Sequence, residues 1–125
     1  MSIEQVLQIR DDAEVRASDA IAGRWTNELG STMELRCDGG NGVLCGTYTS
    51  GVGDQHTYDL TGYANATTVV FTVNFKSSAS IGAWSGHYDP EMGTLEMLWH
   101  LVAEPRADEL WDTTFAGFDT FTRCS

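Results

Sequence analysis

The chain has 125 residues, an apolar fraction of 42% and a formal net charge of −11, with only 7 Lys and Arg residues. This length suits one domain with one hydrophobic core. The negative charge argues against nucleic acid or an anionic membrane as a partner. No run of about 18 apolar residues occurs, so no transmembrane helix is predicted. The first residues lack the basic, apolar and small-residue regions of a signal peptide.

Residues 2–20, within an N-terminal extension over residues 1–22, are the part of the chain with a helix-like pattern. Ile3, Val6 and Leu7 give a weak apolar stripe, and two aspartates at 11 and 12 interrupt it. We expect an N-terminal extension here, either as a short helix or disordered, followed by one barrel domain over residues 23–125.

From Gly23 onward the apolar pattern has a period near two, and turn signals recur about every ten residues. The predicted strands cover residues 24–29, 31–37, 43–50, 56–64, 67–76, 83–89, 94–103 and 113–124. Residues 38–42 read as a hairpin turn, 77–82 as a loop and 104–112 as one helical or 3₁₀ turn. Short strands in simple succession predict an all-β fold, an eight-stranded antiparallel up-and-down barrel, which can enclose one small ligand.

The first strand has an unusual inward face. In a strand Trp25, Asn27, Leu29 and Ser31 point to one side. An amide and a hydroxyl need partners when they are buried beside apolar side chains. We interpret Trp25 as a core residue, and Asn27 and Ser31 as ligand-binding residues.

Further polar residues fall on predicted inward positions. Tyr48 and Ser50 share a face of the third strand, and Asp119 lies on the eighth. The apolar side chains expected around them are those of Phe75, Trp84, Trp99, Leu101 and Trp111. Each buried polar group costs roughly 1–3 kcal/mol if it is left without a partner. A ligand with a polar head and an apolar body would satisfy this set.

The cysteines and histidines indicate no metal site, because no metal-ligand spacing occurs. Three cysteines leave at least one thiol unpaired within the chain. A Cys37–Cys45 bridge across the predicted turn is conceivable, although a tight turn would point one side chain inward and the other outward. Surface or rim positions are expected for the histidines, which are His56, His87 and His100.

Six segments resemble the avidin and streptavidin family of biotin-binding proteins, in family order and with family spacing. They are GRWTNELGSTM, GTYTSGVGD, FTVNFKSS, AWSGHY, EMLWHLV and LWDTTFAGFDTFTR, within residues 23–123. The resemblance implies the same barrel fold, for which streptavidin is a reference example. It also implies that biotin is the ligand.

The resemblance assigns a role to each polar position. Asn27, Ser31 and Tyr48 would donate to the ureido oxygen of biotin, like an oxyanion hole without a reaction. Asp119 would accept one ureido N–H and Ser50 the other, and the bond to the carboxylate would be the stronger kind.

The remaining contacts implied by the family surround the ring and the tail. A backbone N–H near Asp54, in the lid loop 51–54, and the Ser80 hydroxyl would bind the valerate carboxylate. Trp111 would reach into a neighbouring subunit's pocket, which favours a homotetramer, and a larger assembly remains open. The walls around the bicyclic ring would be Leu29, Phe75, Trp84, Trp99 and Leu101.

Two positions of the pocket depart from the family pattern. Phe75 stands where the family usually has Trp, which reduces wall area and removes an N–H. Gly82 stands where the family has a Thr that contacts the biotin sulfur, so this hydrogen bond is expected to be missing and the loop to be more mobile. Ala116 and Phe118 replace other side chains at the family's subunit interface, so the assembly could differ.

The function predicted from the sequence is non-enzymatic, high-affinity biotin binding for biotin sequestration, without a cofactor. The family also implies an extracellular location. One alternative is a barrel that binds another small apolar or ureido-like ligand, because the pocket differs at Phe75 and Gly82. Another is an enzyme that uses Asp119 and Tyr48 as acid and base, but no nucleophile or metal set accompanies them. The five intact polar positions favour biotin.

Overall fold

The chain forms a closed antiparallel barrel in the computed structural model, which describes residues 1–9, 20–37, 41–53, 55–105 and 114–124. Each strand pairs with the next one, and β8 pairs with β1. The strands of this described part are β1 (Gly23–Thr26), β2 (Thr32–Cys37), β3 (Val43–Thr49), β4 (Thr57–Asn65), β5 (Thr68–Phe75), β6 (Ser80–Asp89), β7 (Thr94–Ala103) and β8 (Thr114–Arg123). The predicted eight-stranded up-and-down barrel is confirmed.

A short helix, α1 (Ile3–Gln8), precedes the barrel. It begins with a capping box, in which the Gln5 N–H donates to the Ser2 hydroxyl and the Ser2 N–H donates to the Gln5 side chain. Such reciprocal bonds satisfy backbone donors that the first turn leaves open. None of the described helices is long and apolar enough to span a membrane. Ile21, close before β1, is fully buried and belongs to the barrel core.

The core follows the strand alternation. On β5, Val69, Phe71 and Val73 are buried and alternate with exposed neighbours. The Phe71 ring stacks on Trp84 with centroids 5.0 Å apart. Trp25 is fully buried, as predicted, and its indole N–H donates to the Ile21 carbonyl at 2.9 Å. The barrel interior is therefore packed with side chains toward the end where β1 begins.

The prediction that Trp25, Asn27, Leu29 and Ser31 share one strand face is wrong. β1 ends at residue 26, and residues 27–31 form the turn into β2. The Asn27 side-chain oxygen accepts the backbone N–H groups of Leu29 and Ser31 at 3.1 and 3.0 Å. An Asn that bonds to the backbone two residues ahead competes with the strand ladder and favours a turn.

The sixth strand begins earlier than predicted. The structure places Ser80 and Gly82 in β6, whereas the sequence indicated a loop over 77–82. Phe75 and Ser80 are register partners, so the connection between β5 and β6 is short. Ala79 makes it possible with a left-handed conformation, φ 50°. The expectation of a mobile loop at Gly82 is therefore wrong.

The register also excludes the Cys37–Cys45 bridge. Cys37 lies opposite Leu44 and packs against the core, whereas Cys45 lies opposite Arg36 and is exposed. The two side chains therefore point to opposite faces of the sheet, since neighbouring strand positions alternate.

Ala66 is expected to limit the stability of the barrel. It lies in the two-residue turn between β4 and β5 and has φ 54°. A left-handed conformation costs a non-glycine residue roughly 1–2 kcal/mol. Ala66→Gly is therefore expected to raise the free energy of unfolding by about 0.5–1 kcal/mol, measured by urea denaturation. Ala64→Gly, at a buried strand position, is the matched control and should lower it. A lower stability for Ala66→Gly would contradict the argument.

A candidate ligand-binding cavity at one end of the barrel

A cavity of about 440 Å³ opens at one end of the barrel. The strand ends define its position, because many of the residues that line it lie just after β1 and β3, at the end of β5, at the start of β6 and in the second half of β7. Eleven residues predicted to bind the ligand line this cavity, namely Asn27, Leu29, Ser31, Tyr48, Ser50, Phe75, Ser80, Trp84, Trp99, Leu101 and Asp119. Two more predicted residues, Asp54 and Trp111, lie outside the described part of the chain.

Asn27 is oriented by the turn that contains it. Its side-chain oxygen is occupied by the two backbone N–H groups of the turn. Its backbone N–H donates to the Ser31 carbonyl at 3.1 Å, which closes the turn. Asn27 is 9% exposed. The side-chain amide N–H₂ makes no hydrogen bond to the described residues, so it is available as a donor in the cavity.

Ser31 and Tyr48 supply two further donors. The Ser31 hydroxyl oxygen accepts the Gly51 backbone N–H at 3.0 Å, which leaves its proton to donate elsewhere. Tyr48 is buried on β3 beside it. Burial raises the pKa of the Tyr48 phenol, a hydrogen bond with the Ser31 side chain acts in the opposite direction, and the negative charge of Asp119 raises the pKa further. The phenol is therefore a neutral donor at physiological pH.

The raised pKa of Tyr48 predicts a stability loss at alkaline pH. A phenol whose pKa is raised in the folded state contributes stability fully below the unfolded pKa of about 10, and this contribution is lost as the pH rises through the folded pKa. A spectrophotometric titration of the folded protein should show one tyrosine ionising later than a free phenol. Tyr48→Phe should lack this late component. A late component that persists in Tyr48→Phe would contradict the assignment.

Ser50 and Asp119 present acceptors on the cavity wall. The Ser50 hydroxyl donates to the Val52 carbonyl at 3.1 Å, and its oxygen accepts the Val52 backbone N–H at 3.4 Å, which leaves one lone pair for another donor. Asp119 accepts the Trp84 indole N–H at 2.9 Å. This carboxylate, to which the sequence assigned a ureido N–H of the ligand, thus has a further partner within the protein. Its other oxygen makes no hydrogen bond within the described chain.

Aromatic rings form the apolar part of the cavity. The Phe75 ring meets Tyr48 and Tyr58 edge-to-face at 6.0 and 5.0 Å, and Trp84 at 6.3 Å. The Tyr58 hydroxyl is in turn hydrogen-bonded to Ser77. Such contacts fix ring orientation, since aromatic pairs favour edge-to-face arrangements. The smaller Phe75 wall is therefore held in place by its neighbours.

Gly82 lets two of these rings close over the backbone. A Cβ at this position would lie 2.9 Å from the Trp84 ring and 3.0 Å from the Phe75 ring. A larger residue would displace at least one ring, and a displaced Trp84 would lose its hydrogen bond to Asp119. Because Gly82 has no side chain, the rings of Phe75 and Trp84 can pack in their observed positions on the cavity wall. The sequence alone did not indicate this role.

Sequence reasoning missed three lining residues, namely Val52, Ser78 and His100. The Ser78 hydroxyl is hydrogen-bonded to that of Ser80 at 2.8 Å, so the two form a polar pair at the mouth. Val52 belongs to the loop that was assigned only as a lid. His100 points to the opposite face from Trp99 and Leu101 by alternation, and no periodic signal would have placed it at the cavity.

No cluster of three or more His, Cys, Asp or Glu side chains that could hold a metal ion occurs among the described residues. Asp119, one of the titratable residues that line the cavity, is bonded to the Trp84 indole. The chemistry of the site is therefore that of hydrogen-bond donors and acceptors placed around an apolar wall. The fold and the cavity together define a small ligand-binding β-barrel.

Comparisons with known proteins agree with this class. The model of the Avidin family matches residues 16–124. The chain is 31% identical to Avidin-related protein 3 of Gallus gallus over 117 residues, covering 83% of this chain and 77% of that protein. It is 29% identical to Gallus gallus avidin over 121 residues, with 83% and 78% covered. This chain belongs to the avidin family.

Solved structures show the same fold. The crystal structure of Xenavidin matches with a TM-score of 0.74 at 31% identity, covering 87% of this chain and all of that one. The structure of apo shwanavidin matches with a TM-score of 0.71 at 25% identity, covering 84% and 97%. Proteins of the avidin family are binding proteins rather than enzymes, and their ligand is biotin.

Proposed function

We propose that this protein binds biotin in the barrel cavity without catalysing a reaction, and that its biological role is to sequester biotin. The observation that carries this proposal is the arrangement of donors. The Asn27 oxygen and the Ser31 lone pair are already occupied by backbone N–H groups, so both residues offer donors. Together with the Tyr48 hydroxyl they suit one ligand oxygen, and the ureido group of biotin carries such an oxygen between two N–H groups.

The acceptors suit the other atoms of the same group. In this proposal the Ser50 hydroxyl oxygen and the free oxygen of Asp119 each accept one ureido N–H. Hydrogen bonds to a carboxylate are charge-assisted and are the stronger kind. The cavity therefore offers donors and acceptors in the number that a ureido ring requires.

The apolar walls and the mouth complete the proposed site. The bicyclic ring would pack against the side chains of Leu29, Phe75, Trp84, Trp99 and Leu101. The Ser80 hydroxyl, paired with Ser78, and a backbone N–H near Asp54 would bind the valerate carboxylate. Trp111 would come from a neighbouring subunit. Because Phe75 and Gly82 remove contacts that the family usually has, we expect tight binding that is weaker than the family extreme.

Isothermal titration of the protein with biotin tests this function. Saturable binding of one biotin per chain is expected at micromolar protein. 2-Iminobiotin, in which an NH group replaces the ureido oxygen, is the matched control. It should bind more weakly at neutral pH. Its protonated form places an N–H donor where the ureido oxygen of biotin would face the donors of Asn27, Ser31 and Tyr48. No heat with biotin would refute the proposal and leave the alternative of another small apolar ligand.

The outer surface of the barrel supports self-association. We define the outer face as twelve outward positions on β5–β8, which are Val70, Thr72, Asn74, Ile81, Ala83, Ser85, Leu98, His100, Val102, Thr114, Ala116 and Phe118. Leu98 and Phe118 are register partners and are 56% and 55% exposed. None of the twelve is Asp, Glu, Lys or Arg. Copies with a net charge of −11 repel each other least across an uncharged, apolar face.

Avidin-family proteins form tetramers, and we extend this to the present chain as a homotetramer that uses the outer face. Light scattering should give four times the chain mass of 13.7 kDa. Leu98→Glu places a charge at the centre of the face and should produce smaller species. Thr47→Glu adds the same charge to β3, on the other side of the barrel, and should leave the mass unchanged. A monomer mass for the unmodified protein would contradict the assembly.

A further inference from the structure

The contact between β1 and β8 is the shortest seam of the barrel. β1 has four residues and pairs with β8 at two register positions, Trp25 with Arg123 and Thr26 with Thr122. The neighbouring pair β7 and β8 is in register at nine positions. Barrel closure at this seam therefore depends on few backbone hydrogen bonds.

The side chain of Arg123 adds further contacts across the seam. Its guanidinium donates to the carbonyls of Ala20 and Ala22, which precede β1. It also lies 4.3 Å above the Trp25 ring, a cation–π contact. The Cys124 backbone N–H, next along the chain, donates to the Arg24 carbonyl at 2.8 Å. Arg123 thus fastens the segment that leads into β1 to the end of β8.

The seam lies between two groups of polar residues in the proposed ligand site. Asn27 and Ser31 lie on the hairpin of β1 and β2, whose strands pair at four positions and whose turn is closed by hydrogen bonds. Asp119 lies on β8. A ligand that bonds to the hairpin and to Asp119 bridges the seam. Ligand binding and seam closure are therefore thermodynamically linked. An interaction that stabilises the closed seam strengthens ligand binding, and the bound ligand stabilises the closed seam by the same free energy.

We infer that Arg123 is a positioning residue for ligand binding, one that keeps the hairpin donors aligned with Asp119 without touching the ligand. This inference rests on the proposed function. Arg123→Met keeps the apolar stem and removes the donors, so the hairpin should move more freely against β8. Arg24→Met is the matched control, since Arg24 lies on β1, is exposed, and its side chain makes only a 3.9 Å ion pair with Glu34 among the residues that the structure describes. Both variants remove one positive charge.

The test combines biotin kinetics with amide hydrogen exchange on the full chain. Arg123→Met should raise the biotin dissociation rate about tenfold, with little change in the association rate, because related complexes differ mainly in dissociation. Without ligand it should speed exchange in residues 21–27 and 118–124 but not in 57–75. Arg24→Met should match the unmodified protein in both measurements. Biotin should slow exchange at the seam more than in 57–75.

Each outcome decides a different point. Absence of biotin binding in the unmodified protein would overturn the proposed function and this inference together. Biotin binding with equal dissociation rates in Arg123→Met and Arg24→Met would overturn the inference alone. Arg123→Lys covers the case in which Arg123→Met fails to fold. It keeps the charge but cannot present the planar fork of donors, so it should show an intermediate dissociation rate, and a rate equal to that of the unmodified protein would also overturn the inference.

Discussion

Replacing Asp119 with alanine is expected to weaken biotin binding by about 3 kcal/mol, which is more than a hundredfold in the dissociation constant. The substitution removes a charge-assisted bond to the ligand. It also leaves the Trp84 indole N–H, which donates to Asp119 at 2.9 Å, without a partner in the cavity. The effect should lie in the dissociation rate, measured by displacement of labelled biotin.

One further variant separates charge from shape at this position, and a second variant at Asp89 is a control. Asp119→Asn keeps the size of the side chain and an oxygen that can accept the Trp84 N–H. It should therefore weaken biotin binding less than Asp119→Ala does. Asp89→Ala removes a carboxylate at the last residue of β6, where its oxygen accepts the N–H groups of Glu91 and Met92 in the following turn. It should leave biotin binding unchanged. An unaltered dissociation rate in Asp119→Ala would contradict the proposed site.

Replacing Gly46 with alanine is expected to lower the free energy of unfolding by about 3 kcal/mol or more. Gly46 lies on β3 opposite Leu35, and an added Cβ would be 1.7 Å from the backbone carbonyl oxygen of Glu34. No side-chain rotation can relieve a clash with a neighbouring backbone, so β2 and β3 would have to separate. Urea denaturation of the ligand-free protein measures the loss.

The control for this substitution is Gly93→Ala in the turn between β6 and β7. Gly93 has φ 68°, and a Cβ there would meet no atom within 4 Å. Only the left-handed backbone opposes alanine at this position, which costs roughly 1–2 kcal/mol. If Gly46→Ala were as stable as Gly93→Ala, close approach of the strands would not be the reason for glycine at 46.

In the turn after β1, the sequence analysis placed the side chains correctly but assigned the wrong backbone conformation. Alternation placed Asn27 and Ser31 on an inward strand face, and both side chains do reach the cavity. They do so from a turn, in which Asn27 uses its side-chain oxygen to bind the backbone. Propensity and period describe a strand or a turn equally well at this position, because the deciding hydrogen bonds appear only when the chain is folded.

Asp119 and Gly82 make contacts that the spacing of residues in the sequence could not predict. The sequence indicated a buried carboxylate, but its partner Trp84 lies 35 residues earlier on β6 and meets it across the barrel interior. The sequence also indicated a missing side chain at Gly82, but not that two rings occupy the space above it. Contacts across a barrel depend on strand stagger and register, which one strand's pattern does not encode.

The sequence by itself determined the class of the fold and most of the cavity lining. A period near two, regular turn signals and six family-like segments were sufficient, because alternation assigns each strand residue to the interior or the surface. Only the tertiary structure determined which polar groups of the cavity are available as donors and which as acceptors. Backbone N–H groups of the turn and of Gly51 occupy the acceptors of Asn27 and Ser31, and only the closed barrel brings these donors into one cavity with Asp119.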